Sequence, residues 1–141
     1  MADFAPLFDL PRAEFVSFQV GLRVRELRAG WQGLVHDPGD ALADLEATAD
    51  ALLEVDLVIT VDTMLAHLAG AAGRPVWTLL AFAPDWRWML SRADTPWYPT
   101  MRLFRQPRAN DWAGVFREVR RELEARLARP AGAAMCAAGA A

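Results

Sequence analysis

The chain has 141 residues, 54% of them hydrophobic and 23% charged, with a formal net charge of −3 and a single cysteine. That length suits one domain burying roughly 68–70% of its unfolded surface, and the acidic balance argues against a basic field for nucleic acid or an anionic membrane surface. All 15 basic residues are arginine, which excludes any mechanism that takes a lysine from this chain, the phosphate-cradling Gly-x-x-x-x-Gly-Lys loop among them.

The start, Met1-Ala2-Asp3-Phe4, lacks the basic and apolar regions of a signal peptide. No apolar run approaches the ~20 residues of a membrane span. Cys136 stands alone in an Ala/Gly tail, so a disulfide framework is ruled out and a reducing, cytoplasmic setting is expected. Residues 1–14, with Pro6 and Pro11, read as a lead-in linker and not as a packed element. Phe15 to Val20 is a first strand ended by Gly21, and Leu22 to Arg28 a short helix that Gly30 stops. Gly33 to His36 is a weak strand closed by the turn Asp37-Pro38-Gly39-Asp40, which leaves His36 exposed. Leu42, Leu45, Ala49, Leu52 and Leu53 follow helical spacing, with Thr48 as cap if the helix starts late.

Leu57 to Val61 is a β-branched apolar run without alternation, read as a strand buried on both faces. Asp62 and Thr63 interrupt it with helix-capping residue types. Leu65, Leu68 and Ala69 then mark a helix that Gly73 closes, and Val76 to Leu80 is a second buried strand. The long connection Ala81 to Thr100 holds the aromatic runs Phe82 to Trp88 and Trp97-Tyr98-Pro99. A connection of that length inside a domain is usually functional or mobile. Met101 to Gln106 is a last strand. Asn110 or Asp111 caps a final helix with an apolar stripe of Trp112, Val115, Phe116, Val119, Leu123 and Leu127. The division expected is a linker over 1–14, one domain over 15–129 and a disordered tail over 130–141.

About five strands alternating with three or four helices predict an α/β fold, a doubly wound parallel sheet. In such sheets function gathers at the carboxyl ends of strands and the first turns of the helices that follow, which singles out Asp62, Thr63 and His67. Thr63 offers a hydroxyl, Met64 a free backbone N–H, and His67 lies one turn on, on the same helical face. Capping alone is the competing role for Asp62 and Thr63. A receiver-domain reading of Asp62 lacks its lysine and early acidic pair. His36, His67 and Cys136 have no metal-ligand spacing, so no metal is expected.

The stretches Val55 to Ile59, Val61 to Thr63, Ala66 to Gly70, Pro75 to Trp77, Phe82 to Trp88, Pro96 to Pro99, Met101 to Pro107 and Asp111-Trp112 together resemble the C-terminal half of heptosyltransferase-like glycosyltransferases. The Phe15-Val16-Ser17-x-Gln19-x-Gly21 strand end matches as well. The likeness spans about residues 15–127 and is nearest to bacterial transferase domains associated with tetratricopeptide repeats. It implies a Rossmann-like domain, one half of a GT-B enzyme, that binds a nucleotide sugar as substrate without a cofactor or metal. It implies that Gln19, Gly21, Asp62, Thr63, Met64, His67 and Arg87 line the donor and its diphosphate, and it leaves the catalytic residues unassigned. The partner implied is an N-terminal transferase half, or a tetratricopeptide-repeat region, on another chain.

Three positions depart from the family pattern. Val20 stands where a lysine is usual, leaving Arg23, Arg25 or Arg87 to supply a cation. Ala47 replaces an aspartate before Thr48, and Ala81 a proline. With no acceptor half in the sequence, two further readings stay open: a non-catalytic nucleotide-binding remnant or truncated fragment, and an interaction module built on the tryptophan-rich loop. For that loop itself, sealing the core or packing on a partner domain competes with sugar stacking.

Overall fold

The computed structural model describes residues 2–21, 24–25, 30 and 33–129. The predicted Leu22–Arg28 helix lies mostly outside the described residues, and so do Arg23 and the 130–141 tail with Cys136. Five strands run in chain order, β1 Phe15–Val16, β2 Val35–His36, β3 Val58–Val61, β4 Val76–Leu80 and β5 Met101–Arg105, with helices α1 Leu45–Leu53, α2 Met64–Ala71 and α3 Trp112–Leu127. All strand pairings between them are parallel, as the α/β reading requires. Where one sheet of about five strands was expected, the strands among the described residues fall into two sheets, β1-β2 and β3-β4-β5. The first strand stops after Val16 because the chain turns: Ser17 N–H still donates to His36 O at 2.9 Å, Gln19 N–H then bonds back to Ser17 Oγ, and Gly21 takes φ +75°.

The three-stranded sheet is covered on both faces, and residue parity explains which side chains meet which cover. Trp77, Leu79 and Phe104 face a layer made by Val115, Phe116, Val119 and Leu123 of α3. Val76, Leu80, Met101 and Leu103 face Leu52 of α1, Ala66 and Ala69 of α2, and Trp88. Every residue of β4 is buried, so β4 and not β3 is the centre of the sheet; β3 is an edge, and Val61 at its carboxyl end is exposed.

The linker expected over residues 1–14 is a packed element. Ala2–Leu7 forms a 3-10 helix, and Leu7 and Leu10 are 1% and 5% exposed in the α3-side core. Phe4 meets Phe116 edge-on with ring centroids 4.8 Å apart, and Arg120 of α3 bonds Asp9 at 2.5 Å. Prolines signal a break in periodicity but say nothing about burial. Each buried leucine contributes about 1.5–3 kcal/mol, enough to fix a short segment that has no regular helix.

α1 starts a little later than its periodicity indicated, whereas α3 starts at its expected cap. Leu42 belongs to a 3-10 turn, Gly39–Leu42, and Asp44, not Thr48, caps α1 by accepting from Ala47 N–H; Thr48 Oγ1 donates to Asp44 O at 2.7 Å. Asp111 caps α3 through Gly114 N–H at 2.8 Å, and the predicted apolar stripe is the buried one. No described helix is long and apolar enough to cross a membrane.

Candidate functional site

β3 ends at Val61 and α2 begins at Met64, so Asp62 and Thr63 form the turn at the carboxyl edge of the sheet. Thr63 holds the N-cap position with extended backbone, φ −145° and ψ 173°, but its side chain makes no cap bond. Its hydroxyl lies 3.2 Å from Thr60 Oγ1 instead. The first N–H groups of a helix have no intrahelical acceptor, and here the residue best placed to cover them points elsewhere. Asp62, Thr63 and Met64 are all exposed. The outcome is a helix N-terminus open to solvent, carrying the partial positive charge that favours an anion.

The other end of α2 is closed tightly. Gly73, at φ +67°, donates to Gly70 O, and Arg74 N–H donates to Ala69 O, the two bonds of a Schellman ending. α2 thus has a satisfied C-terminus and an open N-terminus.

His67 sits one turn into α2 and is held from three sides. Its Nδ1 is 3.0 Å from Tyr98 Oη, its ring stacks on Trp88 at 5.2 Å and 24°, and its Nε2 is 4.0 Å from Asp62 Oδ1. With Tyr98 donating, Nδ1 is the acceptor and the ring proton is on Nε2, facing the N-terminal turn. Gly70 makes this possible. A Cβ there would lie 2.5 Å from Tyr98 Cγ, so only glycine lets the tyrosine ring settle against α2.

The aromatic loop divides in two. Trp88 is 1% exposed and seals the α2-side core, with its carbonyl accepting from Arg105 Nη2 at 3.0 Å. Burial holds the Arg105 guanidinium below its ordinary pKa. Trp86 and Trp97 face solvent, at 72% and 54% exposure. Asp85 caps the 3-10 turn Trp86–Trp88: it accepts from Arg87 N–H and pairs with the Arg87 guanidinium at 2.7 Å. That backbone bond is the main reason the Asp85 carboxyl titrates below the usual carboxylate range. The guanidinium also lies 5.3 Å over the Trp86 ring, and Trp97 Nε1–H donates to Arg87 O at 3.1 Å. Gln106, 4% exposed, accepts from both Phe82 N–H and Asn110 N–H, tying the start of the loop to the approach of α3.

His67, Trp86, Arg87, Trp97 and Tyr98 together line a cleft of about 320 Å³. Gln19 and Gly21 line a different hollow of about 530 Å³, with Arg25, Asp37 and Asp40. The seven predicted residues thus fall into two groups: Asp62, Thr63, Met64, His67 and Arg87 around α2 and its loop, and Gln19 and Gly21 by the two-stranded sheet. Trp88 and Tyr98 lie in the aromatic runs noted in the sequence but were given no part in placing His67, and Gly70 and Gln106 were given no role. Tyr98 is 31 residues from its histidine partner, a separation that no local pattern reports.

The family model of glycosyltransferase family 9 (heptosyltransferase) matches residues 41–110. Protein FlbA of Caulobacter vibrioides is 34% identical over 104 residues, which is 70% of this chain and 17% of that protein. The chain therefore spans about a sixth of the length of this curated relative. No solved structure matches it. The stretch similar to glycosyltransferase family 9 runs from the turn before α1 to the residues after β5, and contains the open N-terminus of α2, His67 and the whole aromatic loop.

Proposed function

We propose that the chain is the nucleotide-sugar-binding domain of a family 9-type glycosyltransferase, the C-terminal half of a GT-B enzyme, with the donor's diphosphate seated on the N-terminus of α2. The observation that carries this reading is the uncapped first turn at Thr63 and Met64, flanked by a braced His67, inside the segment that the family matches. A donor sugar leaves a nucleoside diphosphate, and stabilising the charge that develops there is the main catalytic demand. Backbone N–H groups and the helix dipole meet it without a metal. His67 Nε2 then donates to a phosphate oxygen, and Asp62 accepts from a sugar hydroxyl instead of facing the phosphates. The acceptor and the general base come from a second half, on another chain or on a longer form of this one, alongside any tetratricopeptide repeats.

Calorimetric titration with UDP, GDP and ADP sugars tests this, with and without EDTA. Met64→Pro is the sharpest variant. Proline is favoured at the first helical position, and the extended Thr63 is the backbone that a residue before proline adopts, so the fold is kept while one N–H donor is lost. Hydrogen bonds to charged groups are worth about 1.5–3 kcal/mol, so affinity falls about tenfold or more while the melting temperature holds. Absence of any binding below millimolar, or unchanged affinity in both Met64→Pro and His67→Ala, refutes the reading.

A second reading, binding without transfer, is favoured by one position. Val20, where the resembling family has a lysine, is 56% exposed and offers no cation. Arg25, on the same hollow, and Arg87, engaged by Asp85, are the cations nearest in role. Measurable nucleotide-sugar affinity with no hydrolysis or transfer in the presence of acceptor glycans supports this second reading over the first.

A further inference from the structure

We propose that the cleft beside His67 is a subsite for one glycosyl ring, with the indoles of Trp86 and Trp97 as its platform and Arg87 and His67 as its polar edge. The proposal rests on the nucleotide-sugar reading and adds the place where the sugar lies. At about 320 Å³ the cleft is at the small end of ligand pockets, which run about 300–1,000 Å³. It has room for a single ring.

Its chemistry favours a sugar. The face of an indole carries negative quadrupole density and attracts the positively polarised C–H groups of a pyranose face, whereas the hydroxyls around the ring need donors and acceptors at the edge. Arg87 supplies donors, and His67 and the Asp62 carboxylate supply a donor and acceptors on the adjacent turn. Position agrees with chemistry. His67 is common to the cleft and to α2, four residues and about 6 Å along the axis from the N-cap. The group bonded directly to a diphosphate on that N-terminus is the sugar; the base is a ribose further away.

The platform is also built in advance. Two tryptophans at 72% and 54% exposure would ordinarily be free to sample rotamers. Here the indole N–H of Trp97 is tied to Arg87 O, the Arg87 guanidinium lies over Trp86, and Asp85 fixes that guanidinium in turn. The loop behind them is anchored by the Asp94–Arg102 bridge and by Leu103 N–H bonding to Ala93 O at 2.8 Å. Side chains held in this way lose little entropy when a ring is placed on them.

Indole N–H signals of Trp86 and Trp97, assigned in nitrogen-labelled protein, are followed during titration with UDP, GDP and ADP, with the corresponding nucleotide sugars, and with free methyl pyranosides. Signals that move with a nucleotide sugar beyond the shift given by its nucleotide alone place the donor's sugar in the cleft. Movement with free pyranosides only assigns the cleft to a glycan acceptor, still a glycosyl ring. In either case Trp86→Ala and Trp97→Ala weaken the sugar-dependent part of the affinity by about two- to tenfold, Trp86→Phe restores most of it, and affinity for the nucleotide alone is unchanged. If neither indole moves with any sugar, or the alanine variants leave the sugar-dependent affinity intact, the subsite is overturned. If no nucleotide binds at all, the α2 diphosphate reading fails separately, and the pyranoside titration alone decides the cleft.

Discussion

Gly70→Ala isolates the contact that orients His67, because two effects of opposite sign compete at that site. Alanine is a better helix residue than glycine by about 0.8–1.0 kcal/mol, so the exchange stabilises an unobstructed helix. Here the new Cβ meets Tyr98 Cγ, Cδ1 and Cδ2 at 2.5, 2.8 and 2.9 Å. Ordinary contact begins near 3.5 Å, so the ring must retreat by about 1 Å. Overpacking of this kind costs about 1–3 kcal/mol, and losing the 3.0 Å bond to His67 Nδ1 adds about 1 kcal/mol. The contact wins. The net loss is about 1–3 kcal/mol, or a drop in melting temperature of about 3–10 °C for a chain of this size. Denaturant unfolding of four proteins measures it: wild type, Gly70→Ala, Tyr98→Ala and the double variant. With Tyr98 removed, Gly70→Ala reverses sign and stabilises by up to about 1 kcal/mol. Tyr98→Phe keeps the ring and removes only the hydroxyl, so Gly70→Ala still destabilises there, by less. A Gly70→Ala protein as stable as wild type, or one equally destabilised in the Tyr98→Ala background, would refute the packing and with it the account of how His67 is aimed.

Two further outcomes test other parts of the molecule. Leu7→Ala, at 1% exposure, is expected to cost about 2–5 kcal/mol, against less than about 0.5 kcal/mol for the exposed Val20→Ala; equal midpoints for the two would return the first residues to a passive linker. Stability should also fall in acid. Asp85, Asp111, Asp94 and Glu122 all have folded pKa values below their ordinary ones, held there first by the Arg87 N–H, the Gly114 N–H, the Arg92 side chain and the Arg102 side chain respectively. A carboxyl whose folded pKa is lowered contributes fully above its unfolded value, and loses that contribution as pH drops through the lowered one. Unfolding midpoints are therefore flat with respect to these groups above the carboxylate range and decline below about pH 4. Asp111→Asn keeps an oxygen to cap α3 but cannot titrate, so its decline is shallower; identical profiles would remove Asp111 from the explanation.

How much of this was legible in the sequence follows the range of each interaction. β3, α2 and β4 were read nearly to the residue, because a β-branched run, a capping pair, a helical stripe and Gly73 are all local signals. The face of α3 was legible for the same reason. Leu7 and Leu10 were missed because their burial is decided by Phe116 and Arg120, more than a hundred residues away, and no periodicity marks a 3-10 turn with a proline inside it. The first strand was overextended because Val16, Phe18 and Val20 alternate with Ser17 and Gln19 as in a strand, whereas the ladder needs a partner, and β2 provides only two paired residues.

The same distinction separates the two parts of the candidate site. The part at the start of α2 is local: Asp62, Thr63, Met64 and His67 lie within six residues, so the turn and the first helical turn bring them together. The structure adds that the Thr63 side chain makes no cap bond to the N-terminal turn. The orienting part is not local. Tyr98 and Trp88 reach His67 only because β4 and β5 are adjacent parallel strands, whose crossover returns the long loop over α2. Tryptophan count alone could not divide that loop, since Trp88 is buried and Trp86 is largely exposed only two residues earlier. The 3-10 turn capped by Asp85 places the two rings on different sides of the turn. The site therefore has a rigid floor, made by Trp88 and Tyr98 against α2, and an exposed wall, made by Trp86 and Trp97. Changes to the floor should appear in stability and in the orientation of His67, whereas changes to the wall should appear only when a sugar is present.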